Sequence, residues 1–151
     1  MISATAFRRG RVHANMLVEI EHFLRANPLG TVVGTTGVRI GESPDSVREV
    51  ASTYWSKEKI PLGEEVIGYP PMPPDLVIEI LSSSSNFAQM RETIREYFTS
   101  GIHIVWVIDP PRRQGTSYRE PGKGTVLWED ETLTGEDVLP GFACVVSQLF
   151  Q

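Results

Sequence analysis

Cysteine is almost missing from this chain, with Cys144 the sole example. A single thiol makes no internal disulfide, and its setting in "FACVVSQLF" reads as a buried apolar position rather than a metal ligand or nucleophile. Long apolar runs are missing as well. No stretch approaches the ~20 residues that cross a bilayer, and the N-terminus lacks the hydrophobic centre of a signal peptide, so a cytoplasmic protein with no membrane partner is expected. Positive charge is in deficit: 14 Lys and Arg face 19 Asp and Glu, a formal net charge of −5. This argues against a surface that attracts nucleic acid everywhere, although a local basic groove can coexist with an acidic total. The Gly-x-Ser-x-Gly elbow of a serine hydrolase and the lysine of a phosphate-binding loop are also absent. The run of serines at 82–85 is loop or capping sequence.

What remains is an ordinary globular composition, 40% hydrophobic and 22% charged. Its 151 residues suit one domain, 1–151, able to bury about two-thirds of its unfolded surface. Val12, Met16, Ile20, Phe23 and Leu24 recur at helical spacing, and "NPLG" stops that helix. "TVVGTTGVRI" reads as two β-rich halves around a Thr-Thr-Gly turn, and "DSVREVASTYW" as a further strand. "PLGEEVIGYPPMPP" is too rich in proline and glycine for a regular element. After "LVIEIL", the serines offer an N-cap for a helix over Phe87–Phe98, with Phe87, Met90, Ile94, Tyr97 and Phe98 on one face. "IHIVWVID" has the continuous apolar character of a strand covered on both sides, so strand, helix and strand make a βαβ crossover. "GTSYRE" and "GTVLWED" form a hairpin, and a short segment over Val145–Phe150 closes the chain. The expected fold is α/β: a mixed central sheet flanked by helices.

Two carboxylates interrupt the apolar strand "PPDLVIEIL". Alternation puts Asp75, Val77, Glu79 and Leu81 on one side and Leu76, Ile78 and Ile80 on the other. The two acids therefore share a face, but four residues of strand separate their Cα atoms by roughly 13 Å, too far for both to ligate one small cation directly. Glu79 needs a partner from another element if it is to hold Mg²⁺; otherwise the pair is only the strand's polar edge. The histidines offer little. His13 and His22 are nine residues apart, about 900° of helix, and face opposite ways. Surface or packing roles suit them and His103. Asp109 fits a turn before two prolines, and Trp106 and Trp128 fit core or half-buried strand positions.

Three motifs in order, "PPDLVIEILSSSS", "REYFTSGIHIVWVIDP" and "LTGEDVLPGF", resemble the Uma family of restriction endonucleases, a bacterial branch of the PD-(D/E)xK nucleases. The resemblance runs over nearly the whole chain. It implies a restriction-endonuclease-like core and Mg²⁺-dependent phosphodiester hydrolysis, with DNA as the partner and Glu79 as the acid of a catalytic strand pair. It also exposes departures. Relatives reading like "PDTVRAPDVAFVSKERIP" align without a gap on "PDSVREVASTYWSKEKIP", which puts Ala51 where the metal-binding aspartate is expected. The lysine usually found four residues before the tyrosine of the next helix is Thr93. Gln89 stands at a usually acidic position, Ser83 at a frequent proline, and the chain begins after the acidic "dGE" segment of relatives.

Alanine cannot ligate a cation and threonine carries no charge, so weak or absent cleavage is expected. If activity survives, Glu79 with Glu49 or Asp75 would hold Mg²⁺ (Glu79 and Asp75 being the metal-ligand candidates) and a nearby Lys or Arg would balance the charge. Glu49 lies roughly 6.6 Å along the strand from Ala51, on the same side. Lys57 and Lys59 follow that strand, whereas Arg91 and Arg95 lie about 200° around the helix from Thr93. The alternative is a non-catalytic module that pairs with itself, with a relative or with nucleic acid; a gene remnant is a third reading.

Overall fold

The computed structural model describes residues 5–40 and 47–151. Helix α1 (Ala6–Ala26) buries Val12, Met16, Ile20 and Leu24, a row spaced by four along one helical face. It starts well before Val12 because its first turns are helix-favouring alanine and arginine without a repeating apolar stripe to reveal them. At its end the Asn27 N–H and side-chain amide both donate to the Phe23 carbonyl, and Pro28 cannot continue the helix.

Strand β1 (Gly30–Arg39) pairs antiparallel with β2 (Val47–Ser56), from Gly30↔Ser56 to Arg39↔Val47. The predicted Thr-Thr-Gly reversal within β1 is therefore wrong. Thr35 does adopt φ +31°, a conformation β-branched residues avoid, but it kinks a continuous strand instead of reversing it. Pairing resumes at once, with Gly34↔Ser52 and Thr36↔Val50. Asp45 and Ser46, which head the predicted second strand, lie outside the described residues. Gly30 must be glycine, since a Cβ there would lie 2.2 Å from the Trp55 carbonyl oxygen.

The predicted loop at 61–74 contains no helix or strand. Strand β3 (Leu76–Ile80), helix α2 (Phe87–Thr99) and strand β4 (Ile104–Asp109) make the expected crossover, with β3 and β4 parallel from Leu76↔Ile104 to Ile80↔Ile108. Strands β5 (Gln114–Glu120) and β6 (Lys123–Leu127) form the hairpin, completing a six-stranded sheet in the order β1-β2-β3-β4-β5-β6. A small pair, β7 (Thr132–Thr134) and β8 (Ala143–Val145), precedes a closing 3-10 turn at Val146–Phe150.

Both sheet faces are covered. On one, α1 and the C-terminal segment pack on Leu76, Ile78, Ile80, Ile104, Trp106 and Ile108. On the other, Ile94 and Tyr97 of α2 pack on Val77, Leu81, Val105 and Val107. The "LPGF" motif serves the first face: Gly141, at φ +91°, turns the chain so that Phe142 stacks on Trp106 with ring centroids 5.6 Å apart. Cys144 is buried there, and burial pushes its thiol up to about 11. Trp128, expected to be at least half buried, is 57% exposed at the end of the hairpin. His103 is exposed just before β4.

The helix cap differs from expectation. Asn86, not a serine, caps α2, its side chain accepting from the Gln89 N–H at 3.1 Å. The serines bond among themselves, the Ser85 hydroxyl accepting from the Ser82 N–H at 2.9 Å. Asn86→Ala should lower the unfolding free energy by about 1 kcal/mol in urea denaturation. Ser83→Ala should stay within about 0.5 kcal/mol, and the reverse ranking would refute this capping assignment.

Candidate active site

The site is created where two strands stop pairing. β2 and β3 are hydrogen-bonded at Tyr54↔Leu76, Thr53↔Val77 and Ser52↔Ile78, and no further. The next residues outward, Ala51 and Glu79, line a cleft of about 480 Å³ together with Glu49, the first turns of α1, and Ser82 and Ser84. Side-chain alternation also slips here: Val50 packs with the α2 cluster, whereas Ala51 and Tyr54 pack with the α1 cluster. That slip sits opposite the Thr35 kink, and it opens the sheet instead of sealing it.

Glu79 stands on the α2 side of β3, as alternation requires. Tyr97 of α2 donates its hydroxyl to Glu79 Oε1 at 2.5 Å. Burial pushes the Glu79 carboxyl above the usual range, opposed by the Tyr97 hydrogen bond and more weakly by the Arg9 and Arg48 guanidinium groups. Tyr97 is itself driven far upward by burial and by the adjacent carboxylate. The pair shares one poorly solvated contact.

Across the cleft, His13 places Nε2 2.6 Å from Ser52 Oγ. Burial, chiefly, lowers its pKa, Arg9 adds to the lowering, and a hydrogen bond to the Ala51 backbone opposes both. Ser52 is fully buried, so the contact anchors α1 to β2 and presents no nucleophile. On the α2 side, Arg48 Nη2 lies 2.5 Å from Glu96 Oε2 in an adjoining cavity that also contains Thr93 and Gln89.

The candidate acids are divided. Glu79 and Glu49 share the cleft, with Glu49 exposed. Asp75 is elsewhere: its Oδ2 accepts from the Ser56 N–H at 2.8 Å, its Oδ1 lies 3.4 Å from Lys59 Nζ, and it lines a separate cavity with Tyr54 and Lys57. The two lysines thus gather around Asp75, not Glu79. Arg95 pairs with Glu92 on the surface. Asp109 makes the expected turn, accepting from the Arg112 N–H. Tyr97, Arg9, Arg48 and His13 were not anticipated as neighbours of Glu79. Tyr97 reads in sequence as one more core aromatic, and the arginines reach the site only through a tertiary arrangement that local spacing does not encode. Among the described residues no three His, Cys, Asp or Glu side chains gather closely enough to hold a metal ion, and no helix is long and apolar enough to cross a membrane.

A mixed sheet with a parallel βαβ unit at its centre, helices on both faces and a cleft where two central strands part is a nuclease-like fold. The chain belongs to the Uma2 family, described as "Putative restriction endonuclease", which it matches over residues 1–147. Five chains of solved structure match it. Among them is "a putative nuclease belonging to DUF820" from Anabaena variabilis ATCC 29413, with a TM-score of 0.80 and 16% identity over 95% of this chain and 80% of that one. A comparison with curated proteins gives no match.

Because the folded-state pKa of Glu79 is raised, the native protein binds more protons than the unfolded chain once pH exceeds the ordinary carboxyl range. Glu79 therefore costs stability progressively as pH rises from about 4 through its folded pKa. Glu79→Gln should gain stability relative to the parent over that interval, read by urea denaturation at successive pH values. A pH-independent difference would contradict the raised pKa.

Proposed function

We propose that this protein is a nuclease-derived member of its family in which phosphodiester hydrolysis is weak or lost. The observation that carries this reading is that Ala51 and Glu79 line one cleft just beyond the point where β2–β3 pairing ends. In this family's strand-pair arrangement a carboxylate from β2 would meet the β3 acid there, and a methyl group offers no oxygen. Glu79 retains its place, but its carboxyl is engaged by Tyr97 and biased toward the neutral form, the form that ligates cations poorly.

Mg²⁺ requires near-octahedral oxygen ligation, with carboxylates as the charged donors. The residues present do not fit that requirement. Glu49 is the one further carboxylate lining the cleft among the described residues, and it stands on an exposed part of β2. Asp75 is committed to Ser56 and Lys59 in another cavity. The cationic position is altered too: Thr93 is uncharged, and Arg48 beside it is engaged by Glu96. DNA stays the partner implied by the family. The loss falls on chemistry, not on the surface around it.

Calorimetric titration with Mg²⁺ should show no saturable binding up to about 10 mM, whereas Ala51→Asp should create a site that Glu79→Ala removes. On supercoiled plasmid, the parent should cleave no faster than its Glu79→Ala variant. Ala51→Asp combined with Thr93→Lys should raise cleavage by about two orders of magnitude. Robust Mg²⁺-dependent cleavage by the parent, abolished by Glu79→Ala, would refute the proposal.

A further inference from the structure

The first turns of α1 carry Arg8, Arg9 and Arg11, and no acidic residue accompanies them. This arrangement is electrostatically unfavourable, because the start of a helix already bears partial positive charge and neighbouring like charges repel. Elsewhere, Arg25, Arg48, Arg95 and Arg119 each lie within ion-pair distance of a carboxylate. Among the described residues, no carboxylate does the same for Arg8, Arg9 or Arg11.

The three side chains leave the helix over an arc of about 160°. Arg9 lines the cleft with Glu79 and His13. Arg8 spans to the Pro110 carbonyl at 2.5 Å, which brings α1 against the turn bearing Arg112 and Arg113. Arg112 lies over the Phe87 ring and Arg113 over the Phe150 ring, and both are partly neutralised by Asp109 and Glu129. Four arginines, Arg8, Arg9, Arg112 and Arg113, therefore border the edge at which β3 and β4 end, in a chain whose net charge is −5.

We propose that this arginine rim is a phosphate track that holds the backbone of a nucleic acid across the cleft without any divalent cation. The inference rests on the nuclease-derived reading of the cleft and extends it: binding outlives cleavage because the two depend on different residues. Guanidinium groups without a carboxylate within ion-pair distance, such as those of Arg8 and Arg9, suit phosphate through charge and through their planar donor geometry. A lipid surface is a poorer match, since the rim borders a polar cleft containing Glu79, His13, Ser82 and Ser84. Phe7, 85% exposed among the arginines, offers a face on which a base can stack.

Fluorescence anisotropy with a labelled DNA duplex of about 20 base pairs, in EDTA, tests the proposal between about 50 and 200 mM salt. Binding should be present, with a log–log salt slope of about −2.7 or steeper, as expected for at least three phosphate contacts. Arg8→Gln with Arg9→Gln should make that slope shallower by about 1.8 and weaken binding tenfold or more at about 50 mM salt; Arg9→Gln alone should remove about 0.9. Arg25→Gln, at the far end of the same helix, should leave both quantities unchanged, and unaltered melting temperatures would establish that the variants fold.

No binding in EDTA, a slope unaffected by the double variant, or binding to phosphatidylserine vesicles but not to the duplex would overturn the rim. Those results leave the plasmid-cleavage outcome free to stand. Efficient cleavage would instead refute the loss of catalysis while leaving cation-independent binding measurable in EDTA.

Discussion

The parallel pairing of β3 with β4 constrains the whole molecule. Five successive pairs, Leu76↔Ile104 through Ile80↔Ile108, place nearly uninterrupted apolar side chains on both sides of the sheet. A pair of this kind cannot leave a face in water. One side consequently requires α1 together with the C-terminal segment, and the other requires α2. The covering elements are tied to the pair by large residues: Phe142 stacks on Trp106 on one side, and Tyr97 is fully buried on the other. Glu79 is the one ionisable residue in β3, and the same alternation that buries Val77 and Leu81 forces its carboxyl beneath α2.

From that placement follows the character of the cleft. A carboxyl under a helix needs a donor, and Tyr97 supplies it. A carboxyl at the point where β2 leaves β3 also faces an opening, walled by α1 and by the slipped segment of β2. The opening and the anchoring depend on one another. Ser52, the last residue of β2 to pair with β3, is also the residue that His13 holds, so α1 is fastened at the point where the sheet begins to part. Arg9, one turn before His13, is thereby carried to the cleft.

Strong periodic signals in the sequence translated directly into structure. The alternation in "LVIEI" places each side chain of β3 on its observed face, and the apolar stripe of α1 identifies the buried row from Val12 to Leu24. Where one signal has two physical outcomes, the local reading failed. Thr35 with Gly37 can mark a reversal or a kink, and only the antiparallel partner β2 settles it as a kink. Ser85 and Asn86 can each cap a helix; the serines are already satisfied by one another, which leaves the task to Asn86. The face of Glu79 was legible from alternation in β3, and Ala51 was singled out only by resemblance to relatives; the cleft that both line comes from the end of β2–β3 pairing, which local sequence does not encode. Tyr97, Arg9 and Arg48 were not, since their proximity arises from how α1 and α2 are laid on the sheet. Asp75, expected on the face of Glu79, shares no environment with it: it lies just ahead of β3, beside Ser56 and Lys59, in a cavity lined by Leu29, Tyr54 and Val138 of the α1 side, at the opposite end from the cleft.

On the reading proposed above, Glu79 persists for a reason separate from cleavage. A carboxylate at position 51 would set a second negative charge near Glu79, and without a bound cation each would raise the pKa of the other. Ala51 removes that repulsion and packs against the α1 cluster. Losing Glu79 as well would have a different consequence, because the hydroxyl of fully buried Tyr97 would lose its acceptor, and an unsatisfied buried donor costs about 1–3 kcal/mol. The first acid could go with a gain in packing, whereas the second is held by the helix above it. The Tyr97 contact alone is thus a reason for a strand acid to stay in this fold, and its presence does not by itself certify an active nuclease.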